Sequence, residues 1–171
     1  MKWVKQSIHY WCPDTKEHKF LGQNVTVAIL DTGISPHPDF KDRILSFRDF
    51  SSTTGSSEKV LFSFSHFSPL IDNSGHGTHV AGILAGSGLL SSGTYAGIAP
   101  FCNLIIGKVL DQNGNGSIKN VINGIQWIRD IYTQFHIRII NISVGTRPDL
   151  SIHQKLLLLN AVESLWDLGL V

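Results

Sequence analysis

VTVAILDTG, residues 25–33, is a short apolar run that ends at an aspartate, a threonine and a glycine. Residues 25–30 are apolar or β-branched without a break. Such a run is too continuous for a strand with one wet face, and it suits one buried on both. Asp31-Thr32-Gly33 then reads as a tight turn. The pattern predicts a buried strand of a parallel sheet with a carboxylate at its carboxyl end.

Further strands are predicted outward from this one, at 43–50, 103–110 (NLIIGKVL) and 138–144 (RIINISV). Between them lie helical patterns. Residues 75–86 form a helix of small and apolar residues, expected to be buried. Residues 118–132 carry Ile118, Ile122, Ile125 and Ile128 on one face, with Ser117 as the cap of the first turn. Residues 151–168 form a long amphipathic helix that Gly169 stops. Strands alternating with helices imply β-α-β units. The expected fold class is therefore α/β, a partial doubly wound, mainly parallel sheet with helices on both faces. Residues 1–22 read as a lead-in with one short helix around 2–10. Residues 51–74, rich in Ser, Thr and Gly, read as surface loop, with 60–64 extended. Leu170-Val171 looks like the first step of another strand.

The composition narrows the function classes. The chain has 171 residues, 42% of them apolar and 16% charged, with a formal net charge of +1. That describes a globular domain with a sizeable core. No basic run interleaves with aromatics, so nucleic acid is not an expected partner. No apolar run is long enough to span a membrane, so no membrane partner is expected either. The start, MKWVKQSIHYW, lacks the apolar core of a signal peptide, and the expected location is cytoplasmic. Cys12 and Cys102 have no metal-ligand spacing and are expected to be reduced.

Chemistry concentrates in DNSGHGTHVAGILAG, residues 72–86. Taken alone, Asp31 is an Asx-type turn residue, and His76 is a polar contact at a helix start. His76 and His79 share a helix face and form a candidate metal pair, although no third ligand is marked. A third reading joins Asp31 to His76. A buried carboxylate that accepts from one imidazole nitrogen fixes the tautomer and stabilises the imidazolium formed when the other nitrogen takes a proton. In that reading His79 lies one turn on, beneath the site, as a hydrogen-bonded packing residue.

These stretches resemble the subtilisin-like serine proteases, or subtilases. AILDTGISPHPDF (28–40) is similar to the family's segment with the catalytic aspartate, and SGHGTHVAGILAG (74–86) to the segment with the catalytic histidine. The resemblance implies Asp31 and His76 as catalytic residues, in the family's order. VLDQNGNGS (109–117) is similar to a loop lining the cleft. The implied substrate-binding residues there are Gly114, Asn115 and Gly116, which would pair with a polypeptide substrate as an added strand. NISVG (141–145) is similar to the opposite wall, implying Ser143, Val144 and Gly145. Bacterial intracellular-type members are the subgroup that it resembles. No cofactor is certain. Calcium is one that the resemblance allows, with no ligands marked.

The resemblance covers residues 24–171 but only the first half of a subtilase catalytic domain, assigned here to 23–171. No GTSMA-type segment with the nucleophilic serine occurs, and no AAGN-type segment with the oxyanion-hole asparagine. Ser74, Ser117 and Ser143 have other roles, and none sits in a Gly-x-Ser-x-Gly setting. The expectation is a serine endopeptidase fragment, inactive alone, whose partner is the missing carboxy-terminal half. The alternative is a non-catalytic peptide-binding module or one half of a split protease.

Overall fold

A computed structural model describes residues 2–10, 20–51, 60–61, 72–145 and 150–171, with backbone alone at 2, 60 and 61. Cys12 and most of the predicted loop at 51–74 lie outside the described residues. The lead-in helix is α1 (Lys2–Ser7). The apolar run forms β1 (Thr26–Asp31), and every residue in it is buried. The other strands are β2 (Ile44–Asp49), β3 (Val60–Leu61), β4 (Asn103–Lys108) and β5 (Ile137–Ile142). They make one sheet in the order β3-β2-β4-β1-β5. β1 is parallel to both of its neighbours, and β2 is parallel to β4. Among the described residues only the short β3 runs antiparallel, along β2.

The period of two in β1 assigns its side chains to two cores. Val27 and Ile29 pack with Leu104, Ile106, Ala81 and Ala85, the last two from helix α2 (His76–Ala85). Ala28 and Leu30 pack on the other face with Ile105, Ile125 and Ile128, the last two from helix α3 (Ile118–Ile131). Helices therefore cover both faces, as the strand–helix alternation predicts.

The helices depart from expectation in which residues they bury. In α2 the buried face is Gly77, Ala81 and Ala85, while His79 and Ile83 face outward. Small residues bring this helix close to the sheet along one stripe, Val80 and Leu84 flank it half-buried, and His79 and Ile83 stay wet. In α3 the buried residues are Val121, Gly124, Ile125, Trp127, Ile128 and Ile131, while Ile118 and Ile122 are half-buried. The stripe widens toward Trp127, which packs on Phe50 with ring centroids 5.7 Å apart. Ser117 caps α3 as expected, accepting from the Asn120 amide.

Helix α4 (Ile152–Trp166) opens on a capping box between Ser151 and Gln154. Leu165 is its one buried residue. Leu156, Leu159 and Trp166 remain 51%, 52% and 70% exposed. Gly169 ends the turn with φ 76°, a conformation that costs other residues strain. The chain then turns back to β5: the Ile140 amide donates to Val171 O at 2.8 Å, and the Val171 amide to Arg138 O at 3.1 Å. The expected first step of a further strand is therefore present.

Candidate active site

Asp31 stands at the carboxyl end of β1, and its side chain is fully buried. His76 is the first residue of α2. Gly75 ahead of it adopts φ 85°, which turns the chain sharply into the helix. The ring reaches back to the strand, and His76 Nδ1 lies 2.8 Å from Asp31 Oδ1. A carboxylate only accepts, so Nδ1 carries the proton, and in the neutral ring Nε2 is the free acceptor. Nε2 makes no hydrogen bond among the described residues. The His76 side chain is 54% exposed, so this nitrogen is open to an approaching group.

Close packing of α2 against the turn after β1 sets this geometry. A Cβ at Gly77 would meet Gly33 O at 2.2 Å and Asp31 Oδ1 at 3.2 Å, so only glycine fits. Asp31 Oδ1 also accepts from the Thr32 amide at 2.6 Å. Its other oxygen is buried with no partner among the described residues. The hydrogen bond that His76 donates to Asp31, and then the charge of Asp31, raise the His76 pKa above the ordinary value. Slight burial opposes this, and the charge of Asp72 adds to it.

Three residues around the pair are not among the expected site residues. The Asp72 carboxylate accepts five hydrogen bonds, four from the head of α2 and one from Thr32. Burial pushes its pKa up, but hydrogen bonds from Thr78, Thr32 and the Gly75 amide outweigh this and hold it at about 2. An Asp four residues before a helix start was the available signal. Lys108, opposite Asp31 in the β1–β4 register, is buried. It donates to Thr32 O and, at 3.1 Å, to Leu110 O. Thr32 completes the set, its hydroxyl lying between Asp72 and the Gly77 amide.

The expected substrate-binding residues lie on two loops at the same edge of the sheet. Gly114, Asn115 and Gly116 belong to the loop after β4. Asp111 folds that loop by accepting from the Asn113 and Asn115 amides at 2.8 and 2.9 Å. Gly114, at φ 74°, makes the turn. Val144 and Gly145 follow β5. These five residues wall one cavity of about 620 Å³, which also touches Leu150 and Leu158 near α4. Ser143 does not line it. The Ser143 hydroxyl accepts from Asn141 Nδ2 at 2.7 Å.

His79 does not sit beneath the site. It is exposed and lines a separate cavity of about 510 Å³ with His37, Asp39 and Tyr95. One helical turn separates it from His76, whose Nδ1 is engaged by Asp31. Among the described residues no three His, Cys, Asp or Glu side chains cluster as a metal site would require. Cys102 is a buried free thiol whose pKa burial raises to about 11.

Comparison with known proteins places this geometry. The model of the subtilase family matches residues 22–164. Serine protease AprX of Bacillus subtilis is 41% identical over 155 residues, covering 88% of this chain and 32% of AprX. The major intracellular serine protease of the same organism is 38% identical over 130 residues, covering 75% of this chain and 36% of that protein. The solved structure of the Clostridium perfringens CspB protease superimposes with a TM-score of 0.75 at 26% identity, covering 93% of this chain and 37% of that one. Sphericase does so with a TM-score of 0.70 at 28% identity, covering 87% and 44%. The chain thus spans about a third of the length of the curated relatives it matches. A mainly parallel sheet with an aspartate at the end of an interior strand, a histidine bonded to it and a family match over most of the sequence lead to one assignment: the chain belongs to the subtilase family of subtilisin-like serine proteases.

Proposed function

We propose that this chain supplies the acid–base half of a serine endopeptidase, with Asp31 and His76 as two members of an Asp-His-Ser triad. The observation that carries this reading is the 2.8 Å contact of His76 Nδ1 with buried Asp31, with Nε2 left open. In the proposed cycle Nε2 takes the proton of a serine hydroxyl as its oxygen attacks the scissile carbonyl. The imidazolium then gives that proton to the departing amine, which leaves an acyl-enzyme for water to cleave. Asp31 stays ionised throughout and stabilises the imidazolium.

The serine comes from a segment outside these 171 residues, as does part of the oxyanion hole, so the chain alone does not hydrolyse peptides. A polypeptide substrate would lie extended between the loop bearing Gly114, Asn115 and Gly116 and the segment bearing Ser143, Val144 and Gly145. Backbone pairing on both sides suits an enzyme that accepts many sequences, because the backbone is common to all of them.

The test compares the chain alone with the chain completed by a nucleophile-bearing second half, both assayed on a denatured protein substrate. The completed form is expected to cleave and the chain alone is not. Asp31→Asn and His76→Ala in the completed form are each expected to lose turnover by about 10⁴-fold or more. That magnitude is the known one for triad members of this family. Full turnover by His76→Ala would overturn the assignment. Peptide binding without cleavage by the completed form would favour a binding module instead.

A further inference from the structure

A second carboxylate sits behind the dyad and touches both segments that carry it. Asp72 Oδ1 accepts from the Thr32 hydroxyl at 2.8 Å, the Gly75 amide at 2.8 Å and the Ser74 amide at 3.2 Å. Its Oδ2 accepts from the Thr78 amide at 2.8 Å and the Thr78 hydroxyl at 2.5 Å. Thr32 directly follows Asp31, and Gly75 directly precedes His76. The Thr32 hydroxyl, while donating to Asp72, accepts from the Gly77 amide at 2.9 Å. The Thr78 hydroxyl accepts from the Ser35 amide at 2.9 Å. Two hydroxyls therefore bridge the turn after β1 to the first turn of α2, and one carboxylate orients both.

An ordinary helix cap would satisfy the amides of its own helix and stop there. This one also reaches across some forty residues of sequence to the turn beside Asp31. The dyad needs such a brace. Its single hydrogen bond joins a strand end to a half-exposed ring, and small displacements break it. Thr32 is buried, so the bridge is dry where it meets the strand.

We infer that Asp72, acting through Thr32 and Thr78, is a positioning residue that holds His76 in register with Asp31. The inference rests on the protease reading above. Loss of the bridge should loosen the Nδ1–Asp31 hydrogen bond and let the imidazole swing toward solvent.

The test follows His76 by NMR in the 171-residue chain, reading its titration and the exchange rate of its Nδ1 proton. Asp31→Asn calibrates the dyad itself: the His76 pKa should fall toward its ordinary value and the Nδ1 proton should exchange faster. If Asp31→Asn changes neither, the protease reading fails. Thr32→Val removes the bridge without changing any charge. It should shift both readouts the same way by a smaller amount, and Thr32→Ser should restore them. Thr78→Val and Thr78→Ser repeat the comparison from the other oxygen of Asp72. A folded Thr32→Val or Thr78→Val with His76 unchanged, while Asp31→Asn moves it, would overturn the inference and leave the dyad standing. Loss of the amide fingerprint in both valine variants would also count against it, because the network would then hold the whole fold rather than the ring.

Discussion

Gly77→Ala is the smallest change that should pull the dyad apart. The added methyl would sit 2.2 Å from Gly33 O and 3.2 Å from Asp31 Oδ1. Gly33 O is a backbone atom in a turn between β1 and the rest of the fold, so it cannot rotate away as a side chain would. Restoring ordinary contact requires α2 to retreat by roughly 1 Å. The His76–Asp31 contact of 2.8 Å would then open beyond hydrogen-bond range. Overpacking of this kind costs about 1–3 kcal/mol, and the better helix propensity of alanine returns at most about 1 kcal/mol. A net loss of about 1–2 kcal/mol is therefore expected in denaturant unfolding. The His76 pKa should fall toward its ordinary value. In a completed protease, turnover should fall by about 100-fold, the usual scale for a misplacement of this size. If Gly77→Ala unfolds at the wild-type midpoint and leaves the titration of His76 unchanged, the argument that α2 must touch the turn at Gly33 is wrong.

Two further outcomes follow from the same geometry. Asp72 has a folded pKa of about 2 against an ordinary 3.8, so its stabilisation is complete above pH 4 and is lost as the pH falls toward 2. The linkage ceiling is about 2 kcal/mol. Because the group is partly exposed, solvent screening brings the expected value nearer to about 1 kcal/mol. Unfolding midpoints at pH 7, 4 and 2.5 should show this loss in the wild type, and Asp72→Asn should flatten the acid limb. Gly116→Ala places a methyl 2.5 Å from Val109 O and 2.7 Å from Leu110 Cδ2. The loop should shift, and kcat/KM of the completed protease should drop about tenfold for a strain of about 1.4 kcal/mol. Unchanged kinetics would remove this loop from the cleft.

The elements were legible where a single period governs them. β1 is buried on both faces, and its unbroken apolar run says so; β4 reads in the same way. The dyad was legible because each member sits in its own short motif, at a strand end and at a helix start. What escaped depends on pairings between distant segments. Thr32 and Asp72 lie forty positions apart, and neither residue alone predicts that a hydroxyl of one will meet a carboxylate of the other. Lys108 reads as the polar end of a strand until the register sets it opposite Asp31. The helical faces failed for a related reason. A stripe of small residues in α2 marks close approach, not complete burial, so His79 and Ile83 are left outside. In α3, Ile118 starts the helix and lines the open cavity, so it stays half-buried.

The order of the sheet explains why so much of a cleft can form from these elements. β1 lies between β4 and β5, and all three run parallel, so their carboxyl ends emerge on one edge. Asp31 is opposite Lys108, and Leu30 is opposite Ile142, so the segments after β4 and β5 must leave the sheet on either side of the aspartate. A cavity between them is a consequence of register, before any side chain is chosen. Parallel strands also need crossover connections, and α2, on the connection from β2 to β4, begins at that same edge, where its first residue meets Asp31. The position of His76 is therefore a matter of topology, and its orientation a matter of Gly77 and the hydroxyl bridges. On the proposed function, a nucleophile has to approach Nε2 from the exposed side of the ring, since Asp31 holds the other.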